Sequence, residues 1–335
     1  MNKKILIISI FVLIIFIGII LIIINYNKKI DISNAKHAVT IEENVDFYKQ
    51  MKILNVRINK ELKQGTNVYV LEEIKDKDGN KWNKVVINNK KGYILSDKLG
   101  YFTIQESDRV LMVDVSKFNK NNFKDGGELG AFIINRNISY VYIRAGGRGY
   151  GEEGKLYEDP IFKEWVEECE FLDIPFGFYF LDEAINSQEV DEEVNFIKDF
   201  LDVNKYKNNI FPIALDIEKH DEGRAEEIWA DRASIVSELI QKLNEKNIDT
   251  IVYSAATTAD EFLTAINTKF WLAYYPNDIT KIPSKWYTDY KEQEPIQNEE
   301  LMEKMVGWQF SENGAGRDIT EQIDVSLIKS DFYKK

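Results

Sequence analysis

Two carboxylates at alternate positions, Asp216 and Glu218, are the clearest chemical signal in the sequence. The surrounding segment, Phe211 to His220, alternates apolar and polar residues, which predicts a short strand. Side chains at positions i and i+2 of a strand share a face, so we expect the two acids to lie side by side. Two carboxyl groups that close raise the proton affinity of at least one of them, as a general acid requires near neutral pH.

The same segment can also be interpreted as an ordinary polar strand end whose acids pair with Lys219 and Arg224. Two further acids favour the chemical interpretation: Asp114 follows the predicted strand Val110–Val113, and Asp324 is expected to end the last strand. Strand-like and helix-like segments alternate between them, which is typical of an α/β barrel or a doubly wound sheet. If the sheet closes into a barrel, its first and last strands are neighbours, and we expect all four acids at the mouth formed by the strands' carboxyl ends.

Aromatic residues fall at or near the ends of the same predicted strands. They are Tyr179, Trp271, Tyr275, Trp308 and Phe310. Aromatic rings are usually core residues, but around an acidic mouth they also suit the faces and hydroxyls of sugars. Two acids that flank a bond beside aromatic platforms are the arrangement that cleaves glycosidic bonds.

A series of short motifs follows one another after Arg109. The motifs are Val113–Ser116, Ile143–Gly146, Asp159–Phe162, Gly177–Phe180, Leu215–Glu218, Tyr253–Ser254, Trp271–Tyr275, Trp308–Gln309 and Ile323–Val325. Their order resembles that of the glycoside hydrolase family 25 lysozymes. The resemblance implies an irregular β/α (TIM-like) barrel in residues 108–335. It also implies an N-acetylmuramidase that cleaves the β-1,4 bond between N-acetylmuramic acid and N-acetylglucosamine in peptidoglycan.

The resemblance implies roles for single residues as well. Glu218 matches the family's proposed acid and Asp216 its partner, while Asp114 and Asp324 match the other two acids of the site. The candidate substrate-binding residues, taken from these motifs and strand ends, are Arg144, Tyr179, Tyr253, Trp271, Tyr275 and Trp308. No metal and no organic cofactor is implied, and the expected partner is the peptidoglycan glycan strand. The charged stretch 289–304 is longer than the family's usual connection, which leaves the glycan preference open.

The amino terminus contains an uncharged run of 20 residues, Ile5–Ile24. This length matches the hydrocarbon thickness of a bilayer, and no small-residue cleavage site follows the run. We therefore predict an uncleaved transmembrane signal anchor in residues 1–30. Two lysines stand on each side of the run, so charge does not set its orientation. Because the head before the run is very short, we expect a single-pass protein of the cell membrane with an extracytoplasmic catalytic domain.

Short β-like segments occupy residues 37–104, between the anchor and the barrel. The segments that carry the pattern are Leu54–Arg57, Gly65–Val68, Lys81–Val85 and Gly92–Ile94. Asp78-Gly79 is a hairpin turn signal. The order of these segments resembles the bacterial SH3-like domains that often accompany cell-wall hydrolases. A plain small β-barrel without a binding role is the alternative.

Composition excludes several other classes of protein. A net charge of −13 argues against a nucleic-acid partner. The single cysteine, Cys169, cannot form an intrachain disulfide, and with only two histidines the chain cannot build an ordinary zinc site. Three glycines from Gly149 to Gly154 have the spacing of a dinucleotide-binding loop. Two glutamates stand inside that loop, however, and no helix is predicted before Pro160, so we predict a flexible loop.

Two alternative functions differ in class from a lysozyme. A catalytically inactive wall-binding or scaffold protein would use the same anchor and SH3-like domain. A chitinase-type enzyme would need a further aspartate two residues before Asp216. The chain has Ala214 at that position, which argues against this enzyme class.

Overall fold

The computed structural model describes most of the chain after the amino terminus. The described residues are 29–51, 57–121, 128–149, 151, 153–219, 223–258, 263–276, 282–283, 286–287, 296, 298–312 and 323–332. The predicted anchor, Ile5–Ile24, lies outside them. Across the described ranges, no helix has both the length and the apolar character that crossing a membrane requires.

The amino-terminal region folds as an antiparallel sheet of short strands. The strands are β1 (Lys36–Thr40), β2 (Val45–Tyr48), β3 (Arg57–Leu62), β4 (Asn67–Lys75), β5 (Lys81–Ile87), β6 (Lys90–Leu95) and β7 (Leu99–Gly100). They pair in the order β3-β2-β6-β5-β4-β1-β7. Phe47, Val68, Val85 and Ile94 lie in its small apolar core. This region is all-β, as predicted, and its likeness to SH3-like domains stays a prediction.

The carboxyl-terminal region forms a closed barrel. Its strands are β8 (Arg109–Val115), β9 (Ile138–Arg148), β10 (Leu156–Glu158), β11 (Phe176–Leu181), β12 (Ile213–Asp216), β13 (Thr250–Ala255), β14 (Phe270–Ala273), β15 (Met305–Ser311) and β16 (Asp324–Lys329). The sheet order is β10-β9-β11-β12-β13-β14-β15-β16-β8, and β8 also pairs with β9, which closes the barrel. The loop through the three glycines joins β9 to β10, which extends the sheet as an antiparallel partner of β9.

The barrel is irregular because its last strand runs against its neighbours. From β8 through β15 the barrel strands pair in parallel, whereas β16 is antiparallel to both β15 and β8. The predicted irregular barrel is therefore confirmed. The prediction that Asp324 ends the last strand is wrong, because Asp324 begins β16. The reversed direction brings the start of β16 to the rim at which β8 ends.

Helices cover the outside of the barrel. They are α1 (Glu128–Arg136), α2 (Phe162–Leu172), α3 (Ser187–Val203), α4 (Arg232–Glu245) and α5 (Glu299–Lys304). Short 3₁₀ turns occur at Ser96–Lys98, Lys117–Asn121, Glu226–Asp231 and Leu263–Ala265. Cys169 lies in the buried apolar stripe of α2. Asp159 lies just before α2, which begins after Ile161, and it binds an arginine of the site.

Two apolar layers line the two faces of the barrel sheet. The outer layer, under the helices, includes Val113, Val141, Phe178 and Leu215. The layer inside the barrel includes Met112, Tyr142, Ala214 and Trp271. Consecutive residues of a strand point to opposite faces, so every second residue of each barrel strand points inward. This alternation selects which side chains can reach the barrel mouth.

The amino-terminal sheet packs on the outer helices of the barrel. The ring of His37 on β1 stacks on Phe171 of α2 with centroids 4.6 Å apart, and its Nδ1 donates a hydrogen bond to the Phe171 carbonyl. Asn135 of α1 donates a hydrogen bond of 3.2 Å to the carbonyl of Ile41. A Cβ atom on Gly100 would lie 2.7 Å from Ile134, so β7 can approach α1 closely only without a side chain there. These contacts fix the sheet against α1 and α2.

Candidate active site

A cavity of about 610 Å³ opens at the end of the barrel where the parallel strands finish. It is lined by Asp114, Ser116, Phe118, Asn119, Arg144, Tyr179, Asp216, Glu218, Tyr253, Trp271, Glu312 and Asp324. All four predicted acids therefore meet at one mouth. A larger cavity of about 1160 Å³ lies at the opposite end, near the starts of β12 and β13, and holds none of the predicted site residues.

Strand alternation explains why these residues share the cavity. Asp114 follows inward-facing Met112 by two positions on β8, and Asp216 follows inward-facing Ala214 on β12. The same alternation places six further side chains at the barrel mouth. They are Arg144, Tyr179, Tyr253, Trp271, Gln309 and Asp324. The position of each of these residues, an even number of places from another inward-facing residue of its strand, therefore indicated that its side chain faces inward.

Glu218 reaches the cavity from beyond its strand. The prediction placed Glu218 beside Asp216 on one strand face, but β12 ends at Asp216. The chain is still held next to β13 there, because the Ile217 N–H donates a hydrogen bond of 2.9 Å to the Tyr253 carbonyl. Glu218 is half-buried, whereas Asp216 is only 9% exposed. Of this pair, Glu218 is the carboxyl group more accessible to a bound molecule.

Burial and mutual repulsion favour the protonated state of the buried acids. Burial raises the pKa of Asp114 well above its ordinary range, and the charge of Asp324 raises it further. Burial also raises the pKa of Asp216, and the neighbouring Glu218 adds to that shift. The pKa of Asp324 is raised to about 7, first by burial and then by the charges of Glu312 and Glu218. Near neutral pH the cavity therefore retains protons that isolated carboxyl groups would have lost.

Arg144 brings a positive charge to this acidic mouth. Its Nε donates a hydrogen bond of 2.8 Å to Asp159, which is fully buried. Asp159 also accepts hydrogen bonds from the backbone N–H groups of Lys117 and Ile161. The Nη2 atom of Arg144 is buried and has no hydrogen-bond partner within the described part of the chain. Arg144 is thus fixed in position and retains a donor for a ligand.

A glutamine that the sequence analysis did not select connects three side chains of the site. Gln309 Oε1 accepts hydrogen bonds from the hydroxyls of Tyr253, at 2.8 Å, and Tyr275, at 2.5 Å. Its Nε2 donates one of 2.9 Å to Oδ2 of Asp114. Gln309 is 1% exposed, and its bonds to Tyr253 and Asp114 are buried, whereas its bond to Tyr275 is partly exposed. Gln309 therefore fixes the orientation of the Asp114 carboxyl group.

The prediction that Trp308 binds substrate is corrected by its position. Trp308 is fully buried in the outer layer, where it packs against Tyr287 and Phe310, and its Nε1 donates to the Tyr274 carbonyl at 2.8 Å. Because neighbouring residues of a strand face opposite ways, inward-facing Gln309 and outward-facing Trp308 cannot both reach the cavity. Of the two residues in the Trp308–Gln309 motif, only Gln309 contributes to the site.

Phe310 lies in the outer layer beside Trp308, whereas the other predicted aromatic residues lie at the site. Tyr179, Tyr253 and Trp271 line the cavity, and Trp271 stacks on Tyr142 with centroids 5.2 Å apart while its Nε1 donates to Ser326. Tyr275 is not a lining residue; it is 40% exposed at the rim and joins the site through its bond to Gln309.

Four residues that line the cavity were not predicted as site residues: Ser116, Phe118, Asn119 and Glu312. The first three follow β8 directly and Glu312 follows β15, so nearness to the carboxyl end of a barrel strand was the available signal. Among the residues that the structure describes, no group of three or more His, Cys, Asp or Glu side chains is arranged to hold a metal ion.

Several solved structures resemble the chain at low sequence identity. The spore cortex lytic enzyme SleM of Clostridium perfringens is 18% identical over 68% of this chain and 69% of its own, with a TM-score of 0.49. The modular autolysin LytC of Streptococcus pneumoniae is 16% identical over 77% of this chain and 58% of its own, with a TM-score of 0.47. A family 25 glycosyl hydrolase of Bacillus anthracis is 15% identical over 70% and 96%, with a TM-score of 0.44.

The comparison with family models identifies the carboxyl-terminal region. No curated protein matches the chain significantly. The model described as glycosyl hydrolases family 25 matches residues 113–319, which is more than half of the 335 residues. The matched range contains Asp114, Asp216 and Glu218 and ends before Asp324. The chain therefore belongs to glycosyl hydrolase family 25 and is a glycoside hydrolase of the lysozyme type.

Proposed function

We propose that the chain is a muramidase that hydrolyses the β-1,4 bond between N-acetylmuramic acid and N-acetylglucosamine in peptidoglycan. One observation carries the proposal: Asp114, Asp216, Glu218 and Asp324 line a single cavity in a barrel of family 25. Carboxyl groups on both sides of a glycosidic bond supply the proton for the leaving oxygen and the negative charge that stabilises an oxocarbenium-like transition state.

Glu218 is proposed as the general acid, assisted by Asp216. Glu218 is the more accessible of the two, so a glycosidic oxygen can approach it. In the reaction the Glu218 proton moves to that oxygen as the bond to the anomeric carbon breaks, and the bonding electron pair leaves with the oxygen. Repulsion between Glu218 and Asp216 supports the retention of one proton on the pair near neutral pH. Asp114 and Asp324 are proposed to complete the site.

The glycan is proposed to lie against the aromatic side of the cavity. Tyr179, Tyr253 and Trp271 offer rings to sugar faces, and Tyr275 extends this surface at the rim. The unpartnered Nη2 of Arg144 can donate to a hydroxyl, acetamido or carboxylate oxygen of the substrate. These five residues are the proposed substrate-binding set.

The enzyme is further proposed to be a single-pass protein of the cell membrane with an extracytoplasmic catalytic domain. The support is the uncharged run Ile5–Ile24, followed by no cleavage pattern. Residues 37–104 are proposed to act as a bacterial SH3-like domain beside the barrel. In a fractionation experiment we expect a chain that begins at or near Met1 and stays with membranes after a high-salt wash. A soluble form that begins near Lys28 or Lys36 would overturn the anchor.

The reaction is tested on purified cell walls. We expect the turbidity of the suspension to fall and mass spectrometry of the released fragments to show new reducing ends on muramic acid. New reducing ends on glucosamine would contradict the proposed bond. Unchanged turbidity with folded protein would favour the inactive wall-binding or scaffold protein. Glu218→Gln serves as the matched protein control.

A further inference from the structure

The chain enters its amino-terminal sheet beside the turn that joins β5 to β6. The backbone N–H of Ile30 donates a hydrogen bond of 3.0 Å to Oδ1 of Asn89, which lies in that turn. Lys29 directly precedes this contact and is exposed. The residues that connect the predicted anchor to the folded domain therefore reach the domain at this turn.

The turn has the backbone geometry of a tight hairpin. Its two residues, Asn88 and Asn89, have φ values of 47° and 59°. Two consecutive positive φ values match the twist of the flanking strands, and asparagine adopts them readily. Ile87, the last residue of β5, is the register partner of Lys90, the first residue of β6. The backbone at Lys90 and Lys91 therefore has a defined position beside Ile30.

Three exposed lysines gather at this turn: Lys29, Lys90 and Lys91. Asp31 lies close enough for the charge of Lys91 to act on it, but its carboxylate already accepts hydrogen bonds from the N–H and the hydroxyl of Ser33, at 3.0 and 2.8 Å. The turn is therefore positively charged, although the net charge of the chain is −13.

The positive charge lies on one side of this end of the sheet. β2 runs antiparallel to β6 and so finishes at the same end as β5, where exposed Lys49 follows it. β1 also finishes at this end, but it lies two strands away from β5. It is followed by Glu42 and Glu43, and Glu42 is paired with Lys98 at 2.8 Å. The lysines of the β5–β6 turn are thus separated from these glutamates by the width of the sheet.

The sequence limits how far this turn can lie from a bilayer. Lys29 stands five positions after Ile24, the last residue of the predicted anchor. An extended chain covers at most about 3.5 Å per residue, so Lys29 stays within about 17 Å of the hydrocarbon if the anchor spans the membrane. The headgroup layer on one side of a bilayer is itself roughly 5–8 Å thick. The lysines therefore lie within about one Debye length of the headgroups, where an anionic surface attracts them.

We propose that Lys29, Lys90 and Lys91 bind the headgroups of anionic phospholipids and give the amino-terminal sheet a second attachment to the membrane. The inference rests on the proposed anchor and goes beyond it, because a single span does not fix the orientation of the domain that follows. An ammonium group pairs with a phosphate as a point charge, so the contact requires a negatively charged surface and no particular headgroup structure. Because the stacking of His37 on Phe171 joins the sheet to the barrel, the contact also orients the catalytic domain.

Hydrogen exchange in lipid nanodiscs tests the contact. The full chain is reconstituted in discs of phosphatidylcholine and in discs of equal parts phosphatidylcholine and phosphatidylglycerol. We expect the backbone amides of residues 88–91 to exchange more slowly in the anionic discs, by roughly threefold or more, and the difference to shrink at high salt. The double change Lys90→Gln with Lys91→Gln should remove the difference. Lys90→Arg with Lys91→Arg keeps both charges and should retain it.

Lys77→Gln is the matched control, because exposed Lys77 lies in the turn between β4 and β5, at the other end of β5. This variant should behave like the parent, and circular dichroism establishes that each variant is folded. Equal exchange of residues 88–91 in the two kinds of disc overturns the proposal. Slowing that persists in the double glutamine variant also overturns it, because the lower pH at an anionic surface would then be the cause.

Flotation separates this contact from the anchor and from the reaction. A chain that floats with phosphatidylcholine vesicles but shows equal exchange in the two kinds of disc retains the anchor and lacks the lipid contact. A chain that does not float with those vesicles overturns the anchor and the contact together. Failure to clear cell walls would count only against the proposed reaction, because neither measurement depends on turnover.

Discussion

Asp114 and Asp324 are direct register partners in the antiparallel pairing of β8 with β16. Two carboxyl groups in such positions repel each other when both are ionised, and the mouth of the barrel also buries them. The charge of Asp324 raises the pKa of Asp114, which burial raises most, and burial with the charges of Glu312 and Glu218 raises the pKa of Asp324 to about 7. The pair therefore makes the stability of the domain dependent on pH.

Asp324→Asn should relieve this repulsion. Because the folded-state pKa of Asp324 lies above its unfolded value, its contribution to stability is complete below the unfolded pKa and is lost as pH rises through about 7. We expect the melting temperature of the variant to exceed that of the wild type by more at pH 8 than at pH 5. The turnover rate of the variant should fall. A lower melting temperature with unchanged turnover per folded molecule would instead make Asp324 a structural residue of β16.

Glu218→Gln keeps the shape and hydrogen-bonding capacity of the side chain but removes its transferable proton. We expect hydrolysis of cell walls to fall by about 10²-fold or more, with the fold retained. Glu303→Gln on α5, at an exposed position away from the cavity, is the control and should keep full activity. Near-native hydrolysis by folded Glu218→Gln would remove Glu218 from the role of acid.

Gln309→Leu should affect both stability and activity. The change removes the acceptor for Tyr253 and Tyr275 and the donor to Asp114. The Tyr253 hydroxyl and the Asp114 carboxyl group lose this partner in a buried place. The expected loss in the free energy of unfolding is about 1–3 kcal/mol, measured by denaturant titration. Turnover per folded molecule should fall as well, because Asp114 loses its orienting partner. Gln241→Leu, at an exposed position of α4, is the control variant. Equal losses of stability and turnover in the two variants would contradict a special role for Gln309.

The ion pair between Arg224 and Glu189 should stabilise the contact of the chain at Arg224 with α3. Both guanidinium Nη atoms of Arg224 bind the carboxylate, at 2.6 and 2.7 Å, and both residues are mostly buried. A double-mutant cycle with Arg224→Ala and Glu189→Ala should give a coupling energy of about 1–3 kcal/mol. The more exposed pair of Lys242 and Asp191, which joins α4 to α3, should couple by less than about 1 kcal/mol. Equal coupling in the two pairs would argue against a fixed buried contact at Arg224.

Much of the barrel and of its site follows from short-range patterns in the sequence. The predicted strand residues Val110–Val113 lie within β8, and Asp114 and Asp216 occupy inward positions of their strands. Those patterns do not encode which way a strand runs. The antiparallel direction of β16 depends on its pairing with β15 and β8, which are distant in sequence, so the start of this strand was taken for its end.

The errors at single residues have a similar origin. Trp308 was chosen for its chemistry, although its neighbour Gln309 has the inward position. Asp159 was not predicted as a site residue, although a buried arginine 15 residues earlier binds it. In each case a partner from elsewhere in the fold decided the role, and local sequence patterns do not report such partners.

The reversed last strand also governs when activity can arise. Asp114 comes from the first strand of the barrel and Asp324 from its final one, so the acidic mouth is complete only after the two ends of the domain have joined. Contacts between such distant segments form late, because a long loop must close first. A nascent chain that has not yet added β16 lacks one acid and leaves one edge of β8 unpaired. Because β16 is the last strand of the barrel in the chain, the complete acidic site can form only when the whole domain is present.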